Sequence, residues 1–150
     1  MTIIDFMFVF SGVVFHLVIA GIYVASKRER LDLARKLGYI VIAMALPVFI
    51  TLVSFWVAGR SLQTLLSLAA IILYISLEFV LDFILKIEFR EKPAIHIPYI
   101  VVFYAACFSY IGVSFSIDRT WGYVVSASFW IVLATLIYLL RGGKKRIATN

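Results

Sequence analysis

Two acidic residues four positions apart, Glu78 and Asp82, are the side chains of this 150-residue chain best suited to do chemistry. They lie in the run SLQTLLSLAAIILYISLEFVLDFILK, which otherwise has the composition of a membrane-spanning helix. Residues at i and i+4 share one face of a helix. A charged side chain at membrane depth costs roughly 2.5 to 3.5 kcal/mol on insertion scales, so acids retained there usually serve a function. The pair therefore predicts a site for protons or a cation.

The two carboxylates differ in their neighbours along the helix. Asp82 is followed four residues later by Lys86, and an acid placed before a base at this spacing forms a favourable pair near the end of the span. Glu78 has no such neighbour, and it lies roughly 11 Å from Leu85 at 1.5 Å per residue. Glu78 is therefore the stronger candidate for a functional side chain.

Three further polar side chains are expected at a depth comparable with that of Glu78. His16 belongs to the first apolar run and is the predicted hydrogen-bond donor to Glu78. Gly12 and Ala20 lie four residues on either side of His16, and such small residues let another helix approach, so His16 is expected to face protein. Tyrosines of the third and fourth runs add hydroxyl groups. The predicted proton relay consists of Glu78, His16, Asp82, Tyr74 and Tyr104.

A metal site or a bound cofactor is not expected. His16, Glu78 and Asp82 could together hold iron or manganese, but they supply only one imidazole at that depth, and no HExxH spacing occurs. Cys107 is the only cysteine, which excludes an intramolecular disulfide and a cysteine-based zinc or redox motif. The sequence also lacks a nucleophile elbow and a phosphate-binding glycine loop, so we expect no set of catalytic residues.

The composition places these side chains in a membrane bundle. Hydrophobic residues make up 64% of the chain and charged residues 15%, against roughly 45–50% and 25% in soluble domains. The charges separate apolar runs, each long enough to cross a hydrocarbon core about 30 Å thick. We predict an all-α integral membrane protein, with residues 1–150 forming one transmembrane domain, a five-transmembrane-helix bundle. The predicted spans are approximately 4–26, 37–59, 61–86, 96–117 and 120–140.

Basic residues are distributed unevenly between the two ends of the predicted bundle. The segments 27–36, 86–92 and 141–146 contain all but two of the 14 lysine and arginine residues, and with five spans these segments fall on one side. Arg60 and Arg119 fall on the other side. The positive-inside rule then predicts an N-terminus outside and a cytoplasmic C-terminus in the plasma or inner membrane. This distribution explains the net charge of +6 without nucleic acid, and membrane lipids are the expected partners.

Pro47 lies midway along the second span. Its missing N–H frees a backbone carbonyl and predicts a kink near Ala43, which could serve either shape complementarity or a gating hinge. Five spans make a thin bundle, so a wet path would form more easily between protomers or beside Pro47. We therefore expect a homo-oligomer or a partner within a membrane complex.

Three functional interpretations remain open at this point. The preferred one is a transport or permeation protein that moves protons or a cation along a cytoplasmic-side path lined by Glu78 and Asp82. The second is a non-catalytic or lipid-binding subunit of a larger membrane complex, which predicts that Glu78 is exposed in the isolated protomer. The third is a membrane-embedded enzyme acting on a lipid or isoprenoid, with Glu78 and His16 as acid and base. A buried hydrogen-bond network that only fixes helix register is the structural alternative for the cluster.

Overall fold

The computed structural model of the protein describes residues 1–85 and 93–141, and it describes side chains for 1–85 and 97–141. Within these ranges all regular secondary structure is helical. The elements are α1 (Ile3–Lys27), α2 (Leu31–Ala43), α3 (Ala45–Val57), α4 (Leu62–Glu78), a π-helical turn (Phe79–Ile84), α5 (Pro93–Ile117) and α6 (Arg119–Leu140).

Five helical segments of the described chain are long and apolar enough to cross a membrane. They are Ile3–Lys27, Leu31–Val57, Leu62–Ile84, Ile97–Ile117 and Arg119–Leu140. The prediction of an all-helical chain with five apolar spans is confirmed. The second helix begins at Leu31 rather than at residue 37, because the charged residues before 37 already form its first turns. The predicted end of the third span at residue 86 lies outside the described residues.

The five spans close into a ring in chain order. Each span packs against the next one, and α6 returns to α1, which also contacts α5 across the ring. The first and fifth spans run in the same direction, so Phe6 contacts Trp121 at one end, and Lys27 lies over the ring of Tyr138 at the other. Half of the most apolar stretch of α1 is buried, against a third or less in the other spans. α1 is therefore the most buried of the five spans.

Aromatic rings fill the centre of the bundle beside α1. The ring centroid of Phe15 lies 5.1 Å from that of Tyr110 on α5 and 5.7 Å from that of Tyr74 on α4. Gly12 permits this packing, because a Cβ atom there would lie 2.8 Å from the ring of Tyr110. The small residue predicted to face protein thus lies against a buried aromatic side chain.

The connections α1–α2 and α3–α4 use the same helix-ending turn. In each connection one N–H bonds five residues back and the preceding N–H bonds three residues back, which is the Schellman motif. The four bonds are Arg30 N to Ala25 O and Glu29 N to Ser26 O in the first, and Arg60 N to Phe55 O and Gly59 N to Trp56 O in the second. The residue in the left-handed region is Gly59 in one turn, with φ 67°, but Glu29 in the other, with φ 58°.

The second span is interrupted at Met44, between α2 and α3. Pro47 follows three residues later and has no N–H to offer the carbonyl of Ala43. Its own carbonyl accepts a hydrogen bond of 2.8 Å from the Thr51 hydroxyl. The interruption adjoins the position at which the sequence predicts a kink, and a hinge function for Pro47 stays a prediction.

Candidate functional site

Glu78 is the last residue of α4, and its side chain is buried, with 4% of its surface exposed. The hydroxyl groups of Tyr74 on α4 and Tyr99 on α5 both donate to its Oε2 atom. The Tyr74 bond is long at 3.4 Å, beyond the usual range of roughly 2.5–3.0 Å, so Tyr99 is the principal donor. The two hydroxyl oxygens lie 3.1 Å apart. These three residues form one hydrogen-bonded group, the Glu78 cluster.

The positions of both tyrosines follow from the packing of α4 on α5. Tyr74 precedes Glu78 by four residues and therefore lies on the same face of α4. Its ring packs against Phe15 at 5.7 Å and Phe103 at 5.4 Å between ring centroids. The ring of Tyr99 lies 5.7 Å from that of Tyr74. This aromatic packing directs both hydroxyl groups toward the same carboxylate oxygen.

A π-helical turn begins directly after Glu78. It covers Phe79–Ile84, and Leu85 N bonds Val80 O at 2.8 Å, five residues back. Asp82 lies in this turn and is half-buried. The segment between the two carboxylates is therefore π-helical rather than a continuation of α4, and their placement on one shared face stays a prediction. Lys86 lies outside the described residues, and its pairing with Asp82 stays a prediction. Single π-helical turns inside α-helices occur frequently at functional sites.

His16 lies on α1 and is completely buried, which agrees with the protein-facing position predicted from its small neighbours. Its Nδ1 atom lies 2.9 Å from the Ser128 hydroxyl oxygen on α6. Its Nε2 atom is buried and has no hydrogen-bond partner among the described residues. The predicted donation from His16 to Glu78 is therefore wrong. The ring of Phe15 contacts the rings of both His16 and Tyr74, so the two polar groups share one aromatic neighbour.

Tyr104 is not one of the donors to Glu78 that the structure describes. Its ring packs against Phe103 at 5.3 Å and Phe129 at 6.4 Å between centroids. Of the five predicted relay residues, the structure joins only Glu78 and Tyr74 by a hydrogen bond within its described part. It adds Tyr99 and Ser128, which the sequence analysis missed. The described residues also contain no group of three His, Cys, Asp or Glu side chains close enough to hold a metal ion.

A second buried carboxylate lies at the opposite end of the bundle. Asp5 is 4% exposed, and its Oδ2 atom accepts a hydrogen bond of 2.7 Å from Thr2 N. The Arg60 Nη2 atom lies 3.7 Å from Asp5 Oδ1, and the guanidinium carbon lies 4.9 Å from the centroid of the Phe55 ring. This ion pair joins the start of α1 to the α3–α4 turn. The sequence analysis missed it, although Thr2 and Asp5 have the spacing of a capping box.

Buried polar atoms also lie between these two ends. The Tyr110 hydroxyl, the Ser114 hydroxyl and His16 Nε2 have no hydrogen-bond partner within the described part of the chain. The ring of Tyr110 contacts that of His16, with centroids 6.1 Å apart. A polar atom buried in a membrane bundle is costly when it lacks a partner. The interior of the bundle thus holds polar groups beyond the Glu78 cluster.

The helices of the fold define the class of this protein at a coarse level. Five apolar helices indicate a multi-pass α-helical membrane protein by length and composition. Comparisons of the chain with known protein families, with curated proteins and with solved structures find no match. Function is therefore argued from the site alone.

Proposed function

We propose that this is a small proton-transporting membrane protein in which Glu78 binds and releases the proton. The observation that carries the proposal is a buried carboxyl group held by two tyrosine hydroxyls next to a π-helical turn. Ionisable side chains within membrane spans commonly belong to ion pathways and proton relays. A tyrosine hydroxyl can donate and accept a hydrogen bond, so the Glu78 cluster can pass a proton by reorienting its hydroxyl groups.

A proton fits this site better than a hydrated cation does. Both described hydrogen-bond donors to Glu78 Oε2 are phenols, which are neutral donors rather than the carbonyl and carboxylate ligands that hard cations prefer. The carboxylate is buried among aromatic rings, and a cation would have to shed its water to reach it. A proton needs fewer ligands than a cation, since each transfer joins only two neighbouring oxygen or nitrogen atoms.

In the proposed path Asp82 receives the proton on the basic side of the bundle and Glu78 takes it inward. The tyrosine hydroxyls stabilise the Glu78 carboxylate and turn away when it is protonated. His16, Tyr110 and Ser114 offer further polar positions toward the other end. We place the basic end in the cytoplasm of a plasma or inner membrane by the positive-inside rule, and we propose a homo-oligomer because one ring of five helices is thin.

The two alternative functions receive less support. The subunit interpretation predicts an exposed Glu78, whereas this side chain is 4% exposed in the single chain. The enzyme interpretation pairs His16 with Glu78, whereas Nδ1 of His16 lies against Ser128 and Glu78 accepts from two tyrosines. An acid and a base that act together must both lie within hydrogen-bond distance of one substrate. His16 and Glu78 instead bond to different side chains, which does not support an acid–base pair.

The test is proton flux into liposomes that contain the purified protein and enclose a pH-sensitive dye. We expect the protein to collapse an imposed pH gradient, and Glu78→Gln to abolish this flux, because the amide keeps the shape but does not titrate. Asp118→Asn is the matched control, since Asp118 is an exposed N-cap residue that asparagine can replace. Flux through Glu78→Gln equal to that of the unaltered protein would reject the proposal, as would flux no faster than in empty liposomes.

A further inference from the structure

A groove at the basic end of the bundle is separate from the Glu78 cluster. It lies between α1, α2 and α6 and has a volume of about 470 Å³. Ligand pockets in proteins typically have volumes of roughly 300–1,000 Å³. Its lining along α1 runs from Leu17 to Arg28, which is roughly 16 Å at 1.5 Å per residue. The groove therefore follows the direction of the spans over about three turns of α1.

The walls of this groove are apolar apart from Thr135 and the end at the α1–α2 turn. Val24 of α1, Leu37 of α2 and Ile131 of α6 contribute side chains to it. Gly21 also lines the groove, and an added Cβ there would lie 3.1 Å from Leu37, so a larger residue at this position would push into the α1–α2 contact. Such an apolar groove on the side of a membrane bundle is suited to bind a hydrocarbon chain.

Two arginines line the same groove at the α1–α2 turn. The Schellman bonds of this turn fix the backbone of Arg28 and Arg30 on either side of Glu29. Arg30 also lines a neighbouring surface groove that contains Glu29, Asp32 and Lys36, whereas none of the described residues lining the apolar groove itself is acidic. Guanidinium groups bind phosphate oxygens through paired hydrogen bonds. The charge at this end is therefore complementary to a phosphate group.

We propose that the groove binds one anionic phospholipid. Its phosphate lies against Arg28 and Arg30, and one acyl chain follows the apolar walls toward Leu17. An arginine pair at the end of an apolar groove matches the two parts of such a lipid, and basic pockets between spans on the cytoplasmic side are known to bind lipid headgroups. This site does not involve Glu78, so it stands or falls independently of the proposed proton transport.

The test measures which lipid stays on the protein after extraction from vesicles of phosphatidylglycerol and phosphatidylcholine in equal amounts. We expect phosphatidylglycerol to be retained preferentially, and Arg28→Gln with Arg30→Gln to weaken its retention roughly tenfold. Arg35→Gln with Lys36→Gln is the matched control, because it removes the same charge from the same end outside the groove. It should leave retention within about twofold of the unaltered protein.

A second variant tests the acyl-chain part without changing charge. Thr135→Phe fills the groove from α6 and should reduce retention of phosphatidylglycerol, with helicity and elution volume in detergent unchanged. Equal losses in the two double variants would overturn the proposal in favour of general attraction to the basic end. Full retention by Thr135→Phe, or displacement of the lipid by inorganic phosphate alone, would overturn it as well. If the Arg28 and Arg30 double variant does not fold, Thr135→Phe alone decides.

Discussion

Tyr99 supplies the shorter of the two hydroxyl contacts to Glu78, so the candidate site depends on this residue more than on any other donor described. It reaches the carboxylate from a neighbouring helix, whereas Tyr74 lies on the same helix as Glu78. This hydrogen bond between helices both positions the carboxyl group and stabilises the packing of α4 on α5. Loss of the Tyr99 hydroxyl should therefore affect stability and proton transfer together.

Tyr99→Phe removes this hydroxyl and keeps the ring. We expect the free energy of unfolding to fall by about 0.6–2 kcal/mol, which is the range for hydrogen bonds between membrane helices. Proton flux should fall as well. The measurement is an unfolding titration in denaturing detergent, followed by circular dichroism, with Tyr123→Phe as the control because Tyr123 is 63% exposed. Identical behaviour of the two variants would show that the Tyr99 hydroxyl has no role.

The sequence identified some of these residues and missed others for physical reasons. The proximity of Glu78 and Tyr74 could be predicted, because both lie on one helix that fixes their relative position. Tyr99 was not among the predicted relay residues. Its true partner depends on how α5 slides along α4, which only tertiary packing decides. Ser128 was missed for the same reason.

At the scale of the elements, the two Schellman turns offer an internal comparison. Both turns place one residue in the left-handed region, where a side chain costs roughly 1–2 kcal/mol in backbone energy and glycine does not pay this cost. Gly59 adopts this conformation without the cost, whereas Glu29 adopts it with a side chain and so carries the cost. The α1–α2 turn, which also carries the arginines of the lipid groove, is therefore under backbone strain.

Exchanging the residue types in these turns should have opposite effects. Glu29→Gly should raise the free energy of unfolding by about 1 kcal/mol, and Gly59→Ala should lower it by about 1 kcal/mol. No described atom lies within 4 Å of a Cβ added at Gly59, so that loss would come from the backbone alone. The same detergent titration measures both changes. If both substitutions changed the free energy of unfolding in the same direction, backbone strain at Glu29 would be contradicted.

The close contact between α1 and α5 gives a second prediction at this scale. Gly12→Ala places a Cβ 2.8 Å from the ring of Tyr110, which is buried and has little room to move. We expect a loss of about 1–3 kcal/mol in the free energy of unfolding from overpacking. Gly112→Ala is the control on α5, where a Cβ would have no described atom within 4 Å. A tolerated Gly12→Ala would show that the two helices can separate without cost.

The helical spans were largely predictable, and their irregularities were not. Long apolar runs separated by charges defined five spans, because burying a charge in lipid is costly. The π-helical turn after Glu78 changes the hydrogen-bond spacing but leaves the apolar composition as it was, so no hydropathy pattern reveals it. The early start of α2 has a similar cause, since its charged first turns can be helical without being apolar.

At the scale of the whole molecule, side-chain contacts show which helix termini lie at the same end of the bundle. The pair of Asp5 with Arg60 and the contact of Phe6 with Trp121 define one end, and the contact of Lys27 with Tyr138 defines the other. The basic residues of 27–36 all belong to the second end. This grouping is what the positive-inside rule requires of a protein with a fixed orientation.

Orientation can be measured with one introduced cysteine at each end. Ser61→Cys should react with a membrane-impermeant maleimide on intact cells, and Asp32→Cys should react only after the membrane is opened. Both positions are exposed, and Cys107 is buried, so it should give little background. Labelling of Asp32→Cys on intact cells, with Ser61→Cys protected, would reverse the proposed orientation.

The most direct test of the central claim is an infrared titration of the Glu78 carboxyl group in protein reconstituted into lipid. We predict a carbonyl stretching band of a protonated carboxyl that grows as the pH falls, shifts in heavy water and is missing in Glu78→Gln. A proton carrier must titrate in this way, whereas a side chain that only fixes packing need not. A carboxyl band that does not change with pH, or a spectrum identical in Glu78→Gln, would contradict proton binding at Glu78.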